Sequence, residues 1–127
     1  MAAALDTVND FLDLTNNRKD VARAVALLAP DVTFDGPLMR ISGVDQYAAL
    51  LDMFLPAHLD TRILHQFEDG DDACSVGELD VRSPAGETIT LAMSEWFRLR
   101  DGKIAEHRVY YDPREFERAF GLAAEKE

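Results

Sequence analysis

The chain has 127 residues, 47% of them apolar, and a formal net charge of −11. That is the size of one domain, residues 1–127, with one core. The acidic balance argues against a nucleic-acid binder and against docking on anionic membranes, and it is read as a charge for solubility.

Leu5, Val8, Phe11, Leu12 and Thr15 fall on one helical stripe, so a first helix is expected as far as Asn16-Asn17. A second follows Asp20, with Val21, Ala24, Val25 and Leu28 on one face, and stops before Pro30. Asp31–Asp35 is a short β-branched and aromatic run that Gly36-Pro37 breaks. Ser42 is the expected N-cap of a third helix, with Asp45 supporting its dipole. Val44, Tyr47, Ala48, Leu51, Phe54 and Leu55 repeat at three and four, and Pro56 ends the run.

The second half reads as strands: Thr61–Glu68, Ala73–Arg82, Glu87–Arg100 and Lys103–Tyr111. Asp112-Pro113-Arg114-Glu115 has the form of a capping box, and Phe116, Ala119 and Phe120 would pack a final helix closed by Gly121. Residues 123–127 are expected to fray. Helices followed by a strand meander give the α+β class. A strongly curved, mainly antiparallel sheet wrapped on the N-terminal helices would enclose a cavity.

The hairpin around Asp101-Gly102 admits two registers. A three-residue loop ending in a left-handed Gly102 pairs Glu95 with His107 and puts them on one face. A two-residue Asp-Gly turn pairs Glu95 with Arg108 and sends His107 to the other face.

The stretches LLAPDVTFDGPLMRISGVDQYAALLDMF (27–54) and EWFRLRDGKIAEHRVYYD (95–112), together with the order of elements, resemble the nuclear transport factor 2-like superfamily. Within it the chain is similar to the SnoaL-like domains. The resemblance implies a cone-shaped α+β barrel, often dimeric through the outer face of the sheet. Its members include ketosteroid isomerases, polyketide cyclases, epoxide hydrolases, dehydratases and proteins without known catalysis. Fold alone does not fix function. The isomerases carry a Tyr donor in the first helix where this chain has Phe11. Their base precedes a Pro where this chain has Gly36, with Asp35 one residue early. Their second acid matches Glu95. The cyclases pair a pocket acid with a nearby His, and Glu95 with His107 has that chemistry. Val109 stands where a further cyclase acid would align.

A carboxylate facing a dry cavity can exchange protons near neutral pH. The expected catalytic set is therefore His107 as base, Glu95 as its orienter or as acid, and Tyr111 as oxyanion donor, with Asp35 as a slipped base. The ordinary alternatives are a structural ion pair for Glu95, a wall or outer-face position for His107 and a core aromatic for Tyr111. Phe34, Tyr47, Met53, Phe54, Leu91, Met93, Phe97 and Val109 are the candidate apolar wall. His58 reads as a loop residue and His65 as a half-buried histidine. Glu78 and Asp80 reach the cavity only if the 83–86 loop has four residues; a solvated face is the plainer reading. The histidines lack metal-type spacing and Cys74 is alone, so neither a metal nor a disulfide is expected. No phosphate loop, nucleophile elbow or dinucleotide fingerprint is present, so no cofactor is expected. The expected partner is a small hydrophobic ligand. Trp96, Arg98 and Tyr110 fall on the parity opposite to Glu95, and such a face suits a homodimer. No apolar run approaches the ~18 residues of a membrane span. The N-terminal segment lacks a basic region and meets Asp6 early, so a cytoplasmic protein is expected.

Overall fold

The structure, a computed structural model, describes residues 3–121. Helix α1 (Ala4–Leu12) runs into a π-turn (Asp13–Asn17), and a short α2 (Val21–Val25) follows. Strands β1 (Leu28–Asp35) and β2 (Arg40–Ser42) precede α3 (Val44–Phe54) and a tight turn (Leu55–Ala57). The meander β3 (His58–Asp69), β4 (Asp72–Arg82), β5 (Thr88–Arg100) and β6 (Lys103–Tyr111) leads to α4 (Arg114–Ala119). The six strands form one curled sheet in the order β2-β1-β6-β5-β4-β3, antiparallel except where β1 lies parallel to β6. This is the expected α+β architecture, with the sheet open rather than closed. Among the described residues no helix is long and apolar enough to cross a membrane.

The apolar stripes meet inside the curl. Val8, Phe11 and Leu12 of α1 pack with Tyr47, Leu51 and Leu55 of α3 and its following turn. Beneath them lie Val32 of β1, Ala73 of β4, Phe97 and Leu99 of β5 and Ile104 of β6. Each large side chain so buried stabilises the fold by roughly 1.5–3 kcal/mol. A second cluster, Leu79, Val81, Ile89 and Leu91, is closed by Phe116, Ala119 and Phe120 around α4.

Long-range hydrogen bonds set α1 across the inner face. Ala3 offers α1 no side-chain cap, and Glu68 of β3 takes that place by accepting from the Leu5 backbone N–H at 2.9 Å. Gln66 donates to Asn9 of α1 and to Ser75 of β4. These contacts join helix and sheet across more than fifty residues of sequence, where loop closure is costly and packing must repay it.

Several element boundaries differ from the sequence reading. The second helix ends at Val25, and Leu28 already belongs to β1, which contains Pro30. The β1–β6 ladder is irregular between Leu28 and Thr33, so the missing N–H of Pro30 breaks no pairing there. Gly43, at φ 91°, is the N-cap of α3, while Ser42 closes β2 and receives the Gln46 side chain on its N–H. Pro113, not Asp112, caps α4, and Asp112 accepts from the Arg114 N–H. His58 is not a loop residue: it is buried at the start of β3, where Lys19 reaches its Nδ1 and its Nε2 lies 2.7 Å from Thr61 Oγ1. His65 is exposed and stacks on Phe67.

Two outcomes are expected from this framework. An extra residue on β3 shifts its register between Ile63 and His65, and a Cβ on the opposing Gly77 would sit 2.2 Å from the Arg62 carbonyl oxygen. Gly77→Ala is therefore expected to cost at least ~1–3 kcal/mol in denaturant titrations, because backbone must move. Burial, and then the Lys19 charge, hold His58 below its ordinary 6.5, with Asp60 and Asp80 opposing. As pH falls below 6.5 the unfolded chain takes up a proton that the folded ring resists, so stability falls with pH. His58→Gln is expected to flatten that slope, read as melting temperature between about pH 7.5 and pH 5.5.

Candidate functional site

The β5–β6 hairpin takes neither expected register. Its turn is the two-residue Asp101-Gly102 form, with both residues at positive φ (53° and 76°) as a type I′ turn requires. Arg100 pairs with Lys103 and Leu99 with Ile104, but Arg98 pairs with Glu106. Ala105 is the extra residue of a β-bulge on β6. The turn alone would send His107 outward, and the bulge returns it to the inner face. Phe97 then pairs with His107 and Glu95 with Val109. Glu95 lies diagonally between His107 and Tyr111 on the neighbouring strand, within reach of long side chains.

His107 is 5% exposed, and both of its ring nitrogens are engaged. Nε2 lies 2.8 Å from Glu95 Oε1, and Nδ1 lies 2.6 Å from the Tyr47 hydroxyl. With Glu95 ionised, Nε2–H donates to the carboxylate, and the neutral ring leaves Nδ1 to accept from Tyr47. The chain runs Tyr47 O–H to His107 to Glu95. Burial first, and the Glu95 charge second, push the Tyr47 hydroxyl well above its ordinary 10, so Tyr47 stays a donor. Phe97 stacks on the imidazole at 4.1 Å, and Phe34 meets it edge-on at 5.1 Å. The ring is held on its faces by packing and in its plane by two hydrogen bonds.

This triad forms one wall of a cavity of about 260 Å³. The rest of the wall is mostly apolar, including Phe11, Phe34, Leu51, Phe54, Leu91, Met93 and Val109. Glu95 Oε2 has no hydrogen-bond partner among the described residues and is not a buried orphan, so it is free to meet a ligand. Tyr111 lines the cavity beyond it, and burial raises its hydroxyl above the ordinary 10, with Glu117 adding to the shift.

The structure thus gathers Glu95, His107, Tyr111, Phe34, Tyr47, Phe54, Leu91, Met93 and Val109 around one space. It leaves out three expected residues. Asp35 pairs with Arg108 on the parallel ladder, one residue after Phe34 pairs with His107, so it faces the other side. There it forms an ion pair with Arg40 and borders a separate, more open hollow with Arg108 and Tyr110. Met53 is 69% exposed on the outer face of α3. Phe97 is fully buried beneath His107 rather than in the wall. Glu78 and Asp80 also point outward and bind Arg62, because Arg82 pairs with Thr88 and not with Glu87.

Sequence reasoning cast Tyr47 as plain wall and missed its hydrogen bond. The available signal was a tyrosine on the buried stripe of α3, whose hydroxyl must find a partner. It also missed Thr15, Asn16 and Thr61. The first two reach the wall because the π-turn, marked by the Arg18 N–H to Asp13 carbonyl bond, rotates the end of α1. Among the described residues no three His, Cys, Asp or Glu side chains converge as a metal would need.

Comparison with curated proteins finds no match. Among solved structures, an NTF2-like protein of unknown function from Cytophaga hutchinsonii is 25% identical, with a TM-score of 0.79 over 91% of this chain and 96% of that one. A candidate polyketide cyclase from Pseudomonas putida is 22% identical, with a TM-score of 0.81 over 94% of this chain and 99% of that one. TerC, co-crystallised with polyporic acid, is 19% identical, with a TM-score of 0.79 over 93% and 98%. The last two likenesses concern the fold. The SnoaL-like domain family matches residues 8–107, and the chain belongs to that family.

Proposed function

We propose that the cone binds a small hydrophobic carbonyl compound and that Glu95 transfers a proton on it without a cofactor. The observation that carries this reading is the free Oε2 of a carboxylate whose other oxygen is fixed by His107 inside an apolar cavity. The roles first expected of the pair are exchanged. His107 has no nitrogen left for a substrate, so it positions Glu95, and Tyr47 positions His107. In the step proposed, Oε2 takes a proton from the carbon next to the carbonyl. The C–H electron pair forms the enolate, and the Tyr111 hydroxyl donates to the enolate oxygen. Returning the proton at another carbon gives an isomerase. Attack of the enolate on a second carbonyl of the same molecule, with the new alkoxide taking the proton back from Glu95, gives a cyclase. Fold neighbours that include a candidate polyketide cyclase, a candidate ketosteroid isomerase and a protein co-crystallised with polyporic acid are compatible with such ligands.

A second reading, ligand binding without chemistry, is supported by the nearly all-apolar wall. The open cavity counts against a third, a dimerisation domain with a filled cone. Homodimerisation itself belongs to the proposal. The guanidiniums of Arg98 and Arg108 lie over the Trp96 ring, at 5.1 and 5.3 Å from its centroid, and Tyr110 is 53% exposed. Cytoplasmic placement is also part of the proposal and rests on the sequence alone.

Deuterium exchange at the activated carbon of β-tetralone, followed by NMR, tests the chemistry. The protein is expected to accelerate exchange, and Glu95→Gln to remove at least ~100-fold of that acceleration. His107→Gln is expected to keep ketone binding, lower the rate and move its pH profile, since it alters the carboxylate's partner. Exchange by a folded Glu95→Gln variant at the wild-type rate would defeat the assignment. Tight ketone binding with no exchange would favour the second reading.

Tyr47→Phe is expected to leave Nδ1 of His107 without its donor and to cost about 1–3 kcal/mol of stability in denaturant titrations. Light scattering is expected to report a dimer at micromolar concentration and a monomer for Trp96→Glu. A monomeric wild type would remove the dimer from the proposal.

A further inference from the structure

Thr61 gives the wall of the same cavity a second polar group, away from the Glu95 triad, with Lys19 and His58 behind it. Its parts come from three separate segments. Lys19 follows the π-turn at a positive φ of 53°, which aims it toward the start of β3. Its ammonium meets His58 Nδ1 and the His58 carbonyl oxygen. His58 is 5% exposed, and its Nε2 lies 2.7 Å from Thr61 Oγ1. Asp60 and Asp80 act on the ring from β3 and β4.

The directions of these hydrogen bonds follow from the donor inventory. An ammonium only donates, so Nδ1 of His58 accepts. The neutral ring then carries its proton on Nε2 and gives it to Thr61 Oγ1. Thr61 Oγ1 accepts that bond and retains its own hydroxyl proton to give. The hydroxyl has no other hydrogen bond among the described residues, and the Thr61 side chain belongs to the cavity wall. The cavity therefore offers an acceptor at Glu95 Oε2 and a donor at Thr61 Oγ1, the donor backed by a cation through a polarised ring.

Register places the two poles apart. Thr61 pairs with Leu79, Leu79 pairs with Leu91, and Glu95 lies four residues further along β5. The backbones are thus separated by about 13 Å along the strands and about 10 Å across them. Both side chains line the cavity, and backbones this far apart call for a ligand longer than a single ring.

We infer that Thr61 determines specificity at this second pole, accepting an elongated, two-ring ligand that has a proton-yielding group at Glu95 and an acceptor oxygen at its far end. His58 and Lys19 are positioning residues that fix the polarity of Thr61. The inference rests on the ligand-binding part of the function proposed above, and not on the proton-transfer step.

Calorimetric titration with two probes of the same outline separates the possibilities. The first, 6-acetyl-2-naphthol, has a hydroxyl for Glu95 and a ketone oxygen for Thr61; the second, 6-ethyl-2-naphthol, lacks the ketone. The wild-type protein is expected to prefer the acetyl compound by about tenfold. Thr61→Val is expected to abolish that preference while leaving affinity for the ethyl compound unchanged. Thr61→Ser, which restores the hydroxyl, is expected to keep the preference, and Lys19→Met to reduce it partway with no change toward the ethyl compound. That last effect is one that a merely structural lysine would not produce. Equal binding of the two probes by the wild type, or a preference that survives in Thr61→Val, overturns this inference and leaves the ligand reading standing. Failure of both probes to bind overturns the two together.

Discussion

The bulge at Ala105 decides which chemistry the cone contains. Side chains on a strand alternate, so one inserted residue exchanges the faces of everything beyond it. The Asp101-Gly102 turn fixes the hairpin in its tightest form, and that form alone would bury Arg108 beside Glu95 and expose His107. A buried guanidinium would neutralise the carboxylate. A buried imidazole orients the carboxylate and leaves one oxygen available. The bulge therefore sets an acid–imidazole pair in an apolar wall, and it also puts Arg108 against Trp96 on the outside. The Ile104 N–H beside it points the other way and donates to the Leu27 carbonyl at 2.9 Å.

Two buried histidines obey the same rule in opposite senses. A buried imidazole needs partners for both nitrogens. At His107 the partners are a phenol and a carboxylate, and the chain of donors runs toward an anion. At His58 they are an ammonium and a hydroxyl, and the chain runs away from a cation. Because α1 and its π-turn are held across β3 and β4 by Glu68 and Gln66, both chains meet the same space from different sides. The polarity of the cavity is thus set by the packing of the N-terminal segment as much as by the sheet.

What could be read in advance follows from the range of the forces involved. The stripes of α1 and α3 and the alternation of β5 are local patterns, and each gave its element. The capping group of α1 was illegible because it comes from Glu68, 63 residues away. Pro30 suggested a boundary, but a strand can hold a proline where its ladder is already interrupted. Glu95 and His107 stood out as titratable residues among apolar neighbours, while their register depended on a bulge that no Gly or Pro announces. Asp35 stands outside the cavity through parity: its neighbour Phe34 takes the inward place opposite His107. Lys19 and His58 were invisible as a pair, since neither has a local reason to meet the other.

The departure from the ketosteroid isomerase pattern has a physical consequence. Where the resemblance leads to a phenol on the first helix, this chain has Phe11, which gives the cavity no donor there. Tyr47 returns a phenol to the site from α3, but its proton is held by His107 and is not available to a ligand. Charge developing on a ligand oxygen must then be met elsewhere on the wall. Under the proposed reading, Tyr111 beside Glu95 and Thr61 towards the other end of the cavity are the hydroxyls left to meet it. With the Tyr47 phenol held by a histidine, the proposed recognition of a ligand falls to groups near the strand termini. On the proposed reading, substitutions at Thr61 near the start of β3 and at Tyr111 at the end of β6 would alter the choice of ligand while leaving the buried hydrogen bonds of Tyr47, His107 and Glu95 in place.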